Sequence, residues 1–430
     1  MKKLVVKLRR SVEDVLTVGT LAQQDRRVYF EYDPALLDTG LELSPFKLPL
    51  RPGLIEHTDL SFGPLPGLFD DSLPDGWGLL LMDRHFRRQG IDPVTISPLD
   101  RLAYLGTRTM GALTYHPARE AERDDRLLDL HLLGRNAEEV LAGEAADVLP
   151  QLLRAGGSPG GARPKVLVGI QGDRIISGEG DLPEDFLQAG GPDQSGSRQA
   201  STSGGGGEHW IVKFSAQADA RDAGPIEYAY SLMARAAGID MPPTRLLEVG
   251  RGRNVRRYFA VKRFDRALGN HRSHVHTFAN LVHINFRIPS TDYADLFKVT
   301  RSLTRNHGDL LRLFRLMAFN VAAHNRDDHA KNFAFLLDGQ TGEWSLAPAY
   351  DLTFAPGPGG EHTTTLLGEG RYPTGAQCLG LAAQVGIKPR DAVSILDAVH
   401  DAVGRWREFA DAAGCTHKCA ATIAGAMEPL

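Results

Sequence analysis

At 430 residues, 42% hydrophobic and 24% charged, the chain exceeds what one compact core can organise and reads as an ordinary globular protein of two or three domains. A net charge of −4 excludes a global basic field for nucleic acid or membrane, so any DNA contact must come from a local patch or a partner. Three cysteines exclude a disulfide framework, no apolar run reaches a membrane span, and Arg9, Arg10, Glu13 and Asp14 interrupt any signal-peptide core. The expectation is a cytoplasmic protein with no membrane partner.

Residues 1–118 read as a small α+β unit. Leu4–Leu8 and Arg27–Tyr32 are strand-like, the second with Val28, Phe30 and Tyr32 on one face. Gly63–Gly67 is a loop, and Leu80–Phe86 reads as a helix entered through Asp71, Ser72, Leu73 and Pro74. Nothing in this unit has a catalytic pattern; it reads as a docking domain. Residues 119–155 turn charged and helical, a bridge into a second unit.

Gly156-Gly157-Ser158-Pro159-Gly160-Gly161-Ala162-Arg163-Pro164-Lys165 then precedes the strand Val166–Ile170. Glycines permit positive φ and close backbone approach, so successive N–H groups here could cradle a phosphate, or the run is a plain glycine turn. Its spacing fits neither Walker A nor the kinase G-x-G-x-x-G, and Pro159 stiffens it. Residues 189–207 are Gly/Ser-rich and read as a mobile insertion between strands. The strand His209–Phe214 comes next, carrying Lys213, either a solvated edge charge or a phosphate-binding lysine.

Glu227 opens the predicted helix Glu227–Ala237, either pairing with Lys213 or stabilising its own helix dipole. A hairpin pairs Arg245–Val249 with Tyr258–Arg266 across a basic turn, Arg251–Arg257, the best local candidate for a phosphate-backbone contact. Leu310–Asn320 is apolar nearly all round and predicts a buried helix leading into Asn325–Asn332. There Asp327 and Asp328 stand side by side, Asn332 lies five positions after Asp327, the strand-like Phe333–Leu337 comes after it, and Asp351 falls nineteen residues after Asn332. An acid and an amide separated by four residues, then an acid past a hairpin, is the kinase arrangement of catalytic base and two magnesium ligands. The alternative is that these acids cap a helix or pair with Arg326 and Lys331. Cys415-Thr416-His417-Lys418-Cys419 has no second pair of thiols and reads as small buried residues rather than a metal site.

Taken together, Asp71-Ser72-Leu73-Pro74-Asp75-Gly76-Trp77-Gly78, Gly160-Gly161-Ala162-Arg163-Pro164-Lys165, Asp327-Asp328-His329-Ala330-Lys331-Asn332 and Leu346-Ala347-Pro348-Ala349-Tyr350-Asp351 resemble the HipA family of serine/threonine kinases, the toxins of type II toxin–antitoxin pairs. The resemblance implies an α+β, two-lobed, protein-kinase-like fold: an amino-terminal docking subdomain (1–118), the bridge (119–155), a β-rich N-lobe (156–268, with the insertion 189–207) and a helical C-lobe (269–430). It implies ATP and Mg²⁺ as cofactors, Asp327 as catalytic base, Asn332 and Asp351 as metal ligands, and Lys213 as the phosphate-holding lysine. Gly160, Gly161, Ala162, Arg163, Pro164 and Lys165 would form the nucleotide loop, Lys262, Arg263 and Phe264 the hinge. His329, Ala330, Lys331 and Tyr350 would line the site, and Ser158 would be an inactivating autophosphorylation site. The implied partners are a HipB-like helix-turn-helix antitoxin, operator DNA through that antitoxin, and an aminoacyl-tRNA synthetase substrate, typically the glutamyl enzyme. Two readings compete: a catalytically silent corepressor and a small-molecule kinase.

Overall fold

The computed structural model describes residues 1–118, 127–142, 152, 161–188, 206–215, 222–250 and 255–427. Ser158, Gly160, residues 189–205 of the insertion, much of the bridge and residues 251–254 of the basic turn lie outside them. The architecture is α+β and kinase-like, with two five-stranded antiparallel sheets and a largely helical carboxy-terminal half.

The first sheet uses β1 (Lys2–Arg9), β2 (Val15–Gln24), β3 (Arg27–Tyr32), β4 (Leu54–Glu56) and β5 (Leu113–His116), in the order β4-β3-β2-β1-β5. Alternation decides its buried face: Val28, Phe30 and Tyr32 are buried while Arg27 and Glu31 are exposed. The second sheet uses β6 (Lys165–Gln171), β7 (Arg174–Ser177), β8 (Glu208–Lys213), β9 (Thr244–Val249) and β10 (Arg256–Lys262), in the order β7-β6-β8-β10-β9. Its core joins Val166, Val168, Trp210, Val212 and Tyr258 to Trp77 and Leu81 from the helix Gly76–Arg88. That helix starts at Gly76, earlier than Leu80; Trp77 and Leu81 join the second sheet's core, while Met82 and Phe86 pack with Leu105.

Two further expected boundaries move. The helix after β8 runs from Ala223 to Ala236, so Glu227 sits in its second turn and not at its opening. Pro225 is tolerated because the N–H it lacks would have no partner in a first turn. The strand β10 ends at Lys262 instead of continuing to Arg266. Beyond it the chain turns in to bury Asp265, which accepts from Arg263, Arg266 and the Gly111 N–H at 2.7–2.9 Å.

In the helical half, β11 (His274–Thr277), β13 (Ala334–Leu337) and β14 (Trp344–Leu346) form a small sheet, and β12 (Thr291–Asp292) pairs in parallel with β15 (Thr364–Thr365). The helix His307–Ala322 is buried over most of its surface, as its all-round apolar sequence predicts. No helix among the described residues is long and apolar enough to cross a membrane.

The amino-terminal unit is fastened to this half by buried polar groups. Asp71 lies 2.5 Å from His276 Nδ1 and accepts from the Thr277 N–H (2.8 Å) and hydroxyl (2.7 Å), while His276 Nε2 lies 3.0 Å from Ser44 Oγ. Ser44 and His276 are both sealed from solvent. Beside them the Gly67 backbone lies against Asn280; a Cβ at Gly67 would stand 1.9 Å from the Asn280 carbonyl oxygen.

Candidate active site

Three elements converge on Lys213 at the end of β8. Its ammonium donates both to Glu227, from the helix Ala223–Ala236, and to Asp351, which lies beyond β14 in a left-handed backbone conformation (φ 59°). Glu227 is therefore a partner of Lys213 across the lobe. Lys213 and Glu227 expose only 11% and 4% of their side chains, so neither charge is relieved by water. Burial pulls the Lys213 ammonium down, but Asp351 and Glu227 outweigh it and hold it firmly charged. Burial likewise pushes the Asp351 carboxyl up, and Lys213 and Lys165 reverse this, holding it well below the usual carboxylate range. Glu227 ends above its ordinary value because burial exceeds the pull of Lys213. Burial also lowers Lys165, at the start of β6.

The turn after the helix His307–Ala322 splits the two neighbouring acids. Asp327 is exposed, whereas Asp328 is buried. Asp328 accepts from the Tyr293 hydroxyl (2.8 Å) and the Thr363 and Thr364 N–H groups (2.9 and 3.2 Å), and lies 2.9 Å from His362 Nδ1. It anchors the turn. For Asp327, loss of surrounding water raises the carboxyl above its ordinary value, His329 opposes this, and Asp351 and Asp328 reinforce it. Asn332 donates Nδ2 to the Asp327 carbonyl (2.6 Å), which leaves its amide oxygen as the group a cation would meet. Neither acid pairs with Arg326 or Lys331: the Arg326 guanidinium donates to the carbonyls of Gly360 (2.5 Å) and Arg371 (2.8 Å), pinning the segment beyond Asp351.

Lys331 sits where the amino-terminal unit meets the carboxy-terminal half, its carbonyl receiving the Tyr350 hydroxyl (2.6 Å) and its ammonium reaching Asp75 (3.2 Å) and lying 4.6 Å from the Phe286 ring centroid. His329 lies 5.3 Å from the same ring, with Nδ1 buried and unpartnered among the described residues. Ala330 is buried in the short turn between His329 and Asn332. The hinge residues divide. The Lys262 ammonium goes to Glu208 (2.6 Å), the Arg263 guanidinium to Asp265 and the Gly178 carbonyl, and both N–H groups are bonded to carbonyls of Pro243 and His209. Phe264, 5.6 Å from Tyr350, is the part of that stretch facing another site residue. Of the glycine loop, Gly161, Ala162, Arg163, Pro164 and Lys165 are described; Arg163 lies close enough to act electrostatically on both Glu227 and Asp327.

Two residues stand at the site without a role read from the sequence. Phe286 comes from the loop before β12. Asp75 comes from the amino-terminal unit: it accepts from the Gly161 N–H and from Lys331 Nζ (3.2 Å), so this unit does more than dock. Asp75 is the N-cap of the helix Gly76–Arg88 and lies in the resembling stretch Asp71–Gly78, which by itself assigns it no contact with the glycine loop. Cys415 and Cys419 are half-buried, and no cluster of three metal-ligating side chains occurs among the described residues.

Comparison with known proteins places these features. The HipA-like C-terminal domain family matches residues 157–406, and the HipA N-terminal domain family matches residues 13–116. Y4mE of Sinorhizobium fredii, which is named as a putative kinase, is 32% identical over 133 residues, 28% of this chain and only 30% of that protein. HipA of Shewanella oneidensis, solved with HipB and its operator DNA, superposes over 99% of this chain and 94% of its own, with a TM-score of 0.66 and 16% identity. That likeness is one of fold. The proinflammatory kinase CtkA of Helicobacter pylori matches 50% of this chain at 15% identity and a TM-score of 0.31, too distant to carry weight. Since the carboxy-terminal match alone spans more than half of the chain, and the amino-terminal one covers the first sheet, the chain belongs to the HipA family.

Proposed function

We propose that the chain is an ATP-dependent serine/threonine protein kinase. The observation that carries this is the double engagement of Lys213 by Glu227 and Asp351, across two lobes, with Asp327 and Asn332 on the adjoining turn. A lysine fixed by a helix glutamate and facing a metal-binding aspartate is the phosphate-positioning device of protein kinases. In this reading the substrate hydroxyl oxygen forms the new bond to the terminal phosphorus of ATP, ADP leaves, and the hydroxyl proton passes to Asp327. A carboxylate raised above its ordinary value is the better acceptor while it stays ionised at neutral pH. Lys213 and Lys165 neutralise phosphate oxygens, and Phe264 and Tyr350 flank the base.

The donor set fits Mg²⁺: Asp351 offers a carboxylate held ionised and Asn332 an amide oxygen, both hard ligands, few enough that phosphates and water complete the shell. Bound there, the ion would neutralise charge on the transferring phosphoryl group.

The proposal extends to a toxin role. The Shewanella relative is assembled with HipB and operator DNA, which supports a helix-turn-helix antitoxin as partner and operator DNA reached through it. The family resemblance supports an aminoacyl-tRNA synthetase as substrate and Ser158 as the self-modified residue.

The test is the intact mass of the dephosphorylated protein after incubation with Mg-ATP, beside Asp327→Gln, with fragment mapping. Added phosphate in the wild type alone, mapped to Ser158, supports the kinase and its self-modification. A wild type that neither gains mass, nor phosphorylates a synthetase panel, nor binds ATP refutes the assignment.

A further inference from the structure

We propose that Asp75 is a positioning residue of the nucleotide site, through which the amino-terminal unit sets the exit of the glycine loop and Lys331 together; this rests on the kinase reading and deepens it. Asp75 has the extended backbone of a helix N-cap (φ −117°, ψ 179°), yet its carboxylate caps no N–H of its own helix. Aspartate at that position ordinarily does so. Here both oxygens are spent elsewhere, one on the Gly161 N–H and one on Lys331. Asp75 and Lys331 expose only 13% and 16% of their side chains, so the pair is held rather than casual.

The rest of the contact is made to fit. The Gly161 carbonyl receives the Trp77 N–H (3.0 Å), so both backbone groups of Gly161 are gripped by residues 75–77. Gly76 has φ +44°, and a Cβ there would stand 2.6 Å from the Gly161 oxygen and 2.8 Å from Ala162 Cα. The Trp77 indole donates to the Lys165 carbonyl (3.1 Å), extending the grip to the start of β6. On the other side, the Lys331 ammonium lies between Asp75 and the Phe286 ring. A loop that must present N–H groups to phosphates and a lysine on the opposite wall are thus referenced to one carboxylate. Movement of the helix Gly76–Arg88, for example by a partner on the amino-terminal unit, is transmitted to both.

The experiment uses the full chain with Asp75→Ala and Asp75→Asn. Amide hydrogen exchange is followed without nucleotide over residues 161–168, with the buried helix His307–Ala322 as control, and ATP affinity and the KM–kcat split are measured in parallel. The expected result for Asp75→Ala is faster exchange confined to 161–168, and ATP binding weakened by about tenfold and expressed mainly in KM, the scale typical of a lost supporting contact. Asp75→Asn keeps an oxygen for the Gly161 N–H but not the charge for Lys331, so it retains the protection and loses part of the affinity. Unchanged exchange in Asp75→Ala, or acceleration spread equally over His307–Ala322, overturns the proposal; so does unchanged ATP affinity in a protein whose wild type binds ATP. If the wild type binds no ATP, the kinase reading fails and the exchange result alone decides whether Asp75 positions the loop.

Discussion

Replacing Lys213 by Met keeps the stem of the side chain and removes the charge that two acids share. Glu227 is 3% exposed and would be left as an uncompensated carboxylate, while Asp351, with 38% of its side chain exposed, retains water and Lys165. Breaking a buried ion pair costs about 3–5 kcal/mol; with Lys165 still nearby, the lower end, about 3 kcal/mol at neutral pH, is the expectation. The cost depends on pH with a definite sign. Burial already raises the Glu227 carboxyl, and loss of Lys213 raises it further. Below the ordinary glutamate range folded and unfolded chains both hold that proton, and the deficit from Glu227 is small. Above that range the unfolded chain releases the proton first, so the deficit grows by up to about 1.4 kcal/mol per pH unit until the folded group also ionises. In the wild type, Asp351 is depressed, so its contribution is present at neutral pH and is lost as pH falls through its folded value. Acidification to pH 5 therefore narrows the gap through Glu227, while the contribution of Asp351 is lost only below the ordinary carboxylate range. Urea unfolding at pH 7.5 and pH 5, monitored by tryptophan fluorescence, measures it, because Trp210 lies on β8 three residues before Lys213. Lys213→Met/Glu227→Gln should recover at least half of the loss at pH 7.5 while remaining inactive. A gap that does not change with pH, or a double variant as weak as the single, would refute the reasoning.

Asp351→Asn should raise the Mg²⁺ concentration for half-maximal transfer tenfold or more, on the order of a lost metal-site contact, and chelation should abolish transfer in the wild type; an unchanged Mg²⁺ titration removes Asp351 from the ligand set. Gly67→Ala forces a methyl onto the Asn280 backbone and should cost about 1–3 kcal/mol, read as a lower urea midpoint with protease sensitivity appearing between the amino-terminal unit and the rest. A wild-type midpoint would show that the two backbones separate easily.

How much of the fold and the site is legible in the sequence depends on how local each signal is. The strands β3, β6, β8 and β13 come from alternation or from short apolar runs, and the buried helix His307–Ala322 from its all-round apolarity. Lys213, Asp327, Asn332 and Asp351 stand out because their spacing is a property of the chain itself. Asp75 lies in the resembling stretch Asp71–Gly78, but its role is not legible there, since its partners lie 86 and 256 residues away and its local setting is that of a cap. The end of β10 is misread for the same reason: Tyr258–Arg266 reads as one strand, and only folding brings Asp265 against Arg263, Arg266 and the distant Gly111 N–H. Asp327 and Asp328 are adjacent and alike in sequence. Tyr293, His362, Thr363 and Thr364, distant in the chain, determine which one is buried.

Ser44, His276 and Asp71 stand in the order and at the spacings of a hydrolase triad, hydroxyl to imidazole to carboxylate. Yet no substrate can reach the Ser44 oxygen, and the hydroxyl and the acid come from the amino-terminal unit while the imidazole comes from β11. A shortened protein lacking the first 118 residues would open the His276 ring to water and strip both of its partners, so an inactive truncation would say nothing about where catalysis resides.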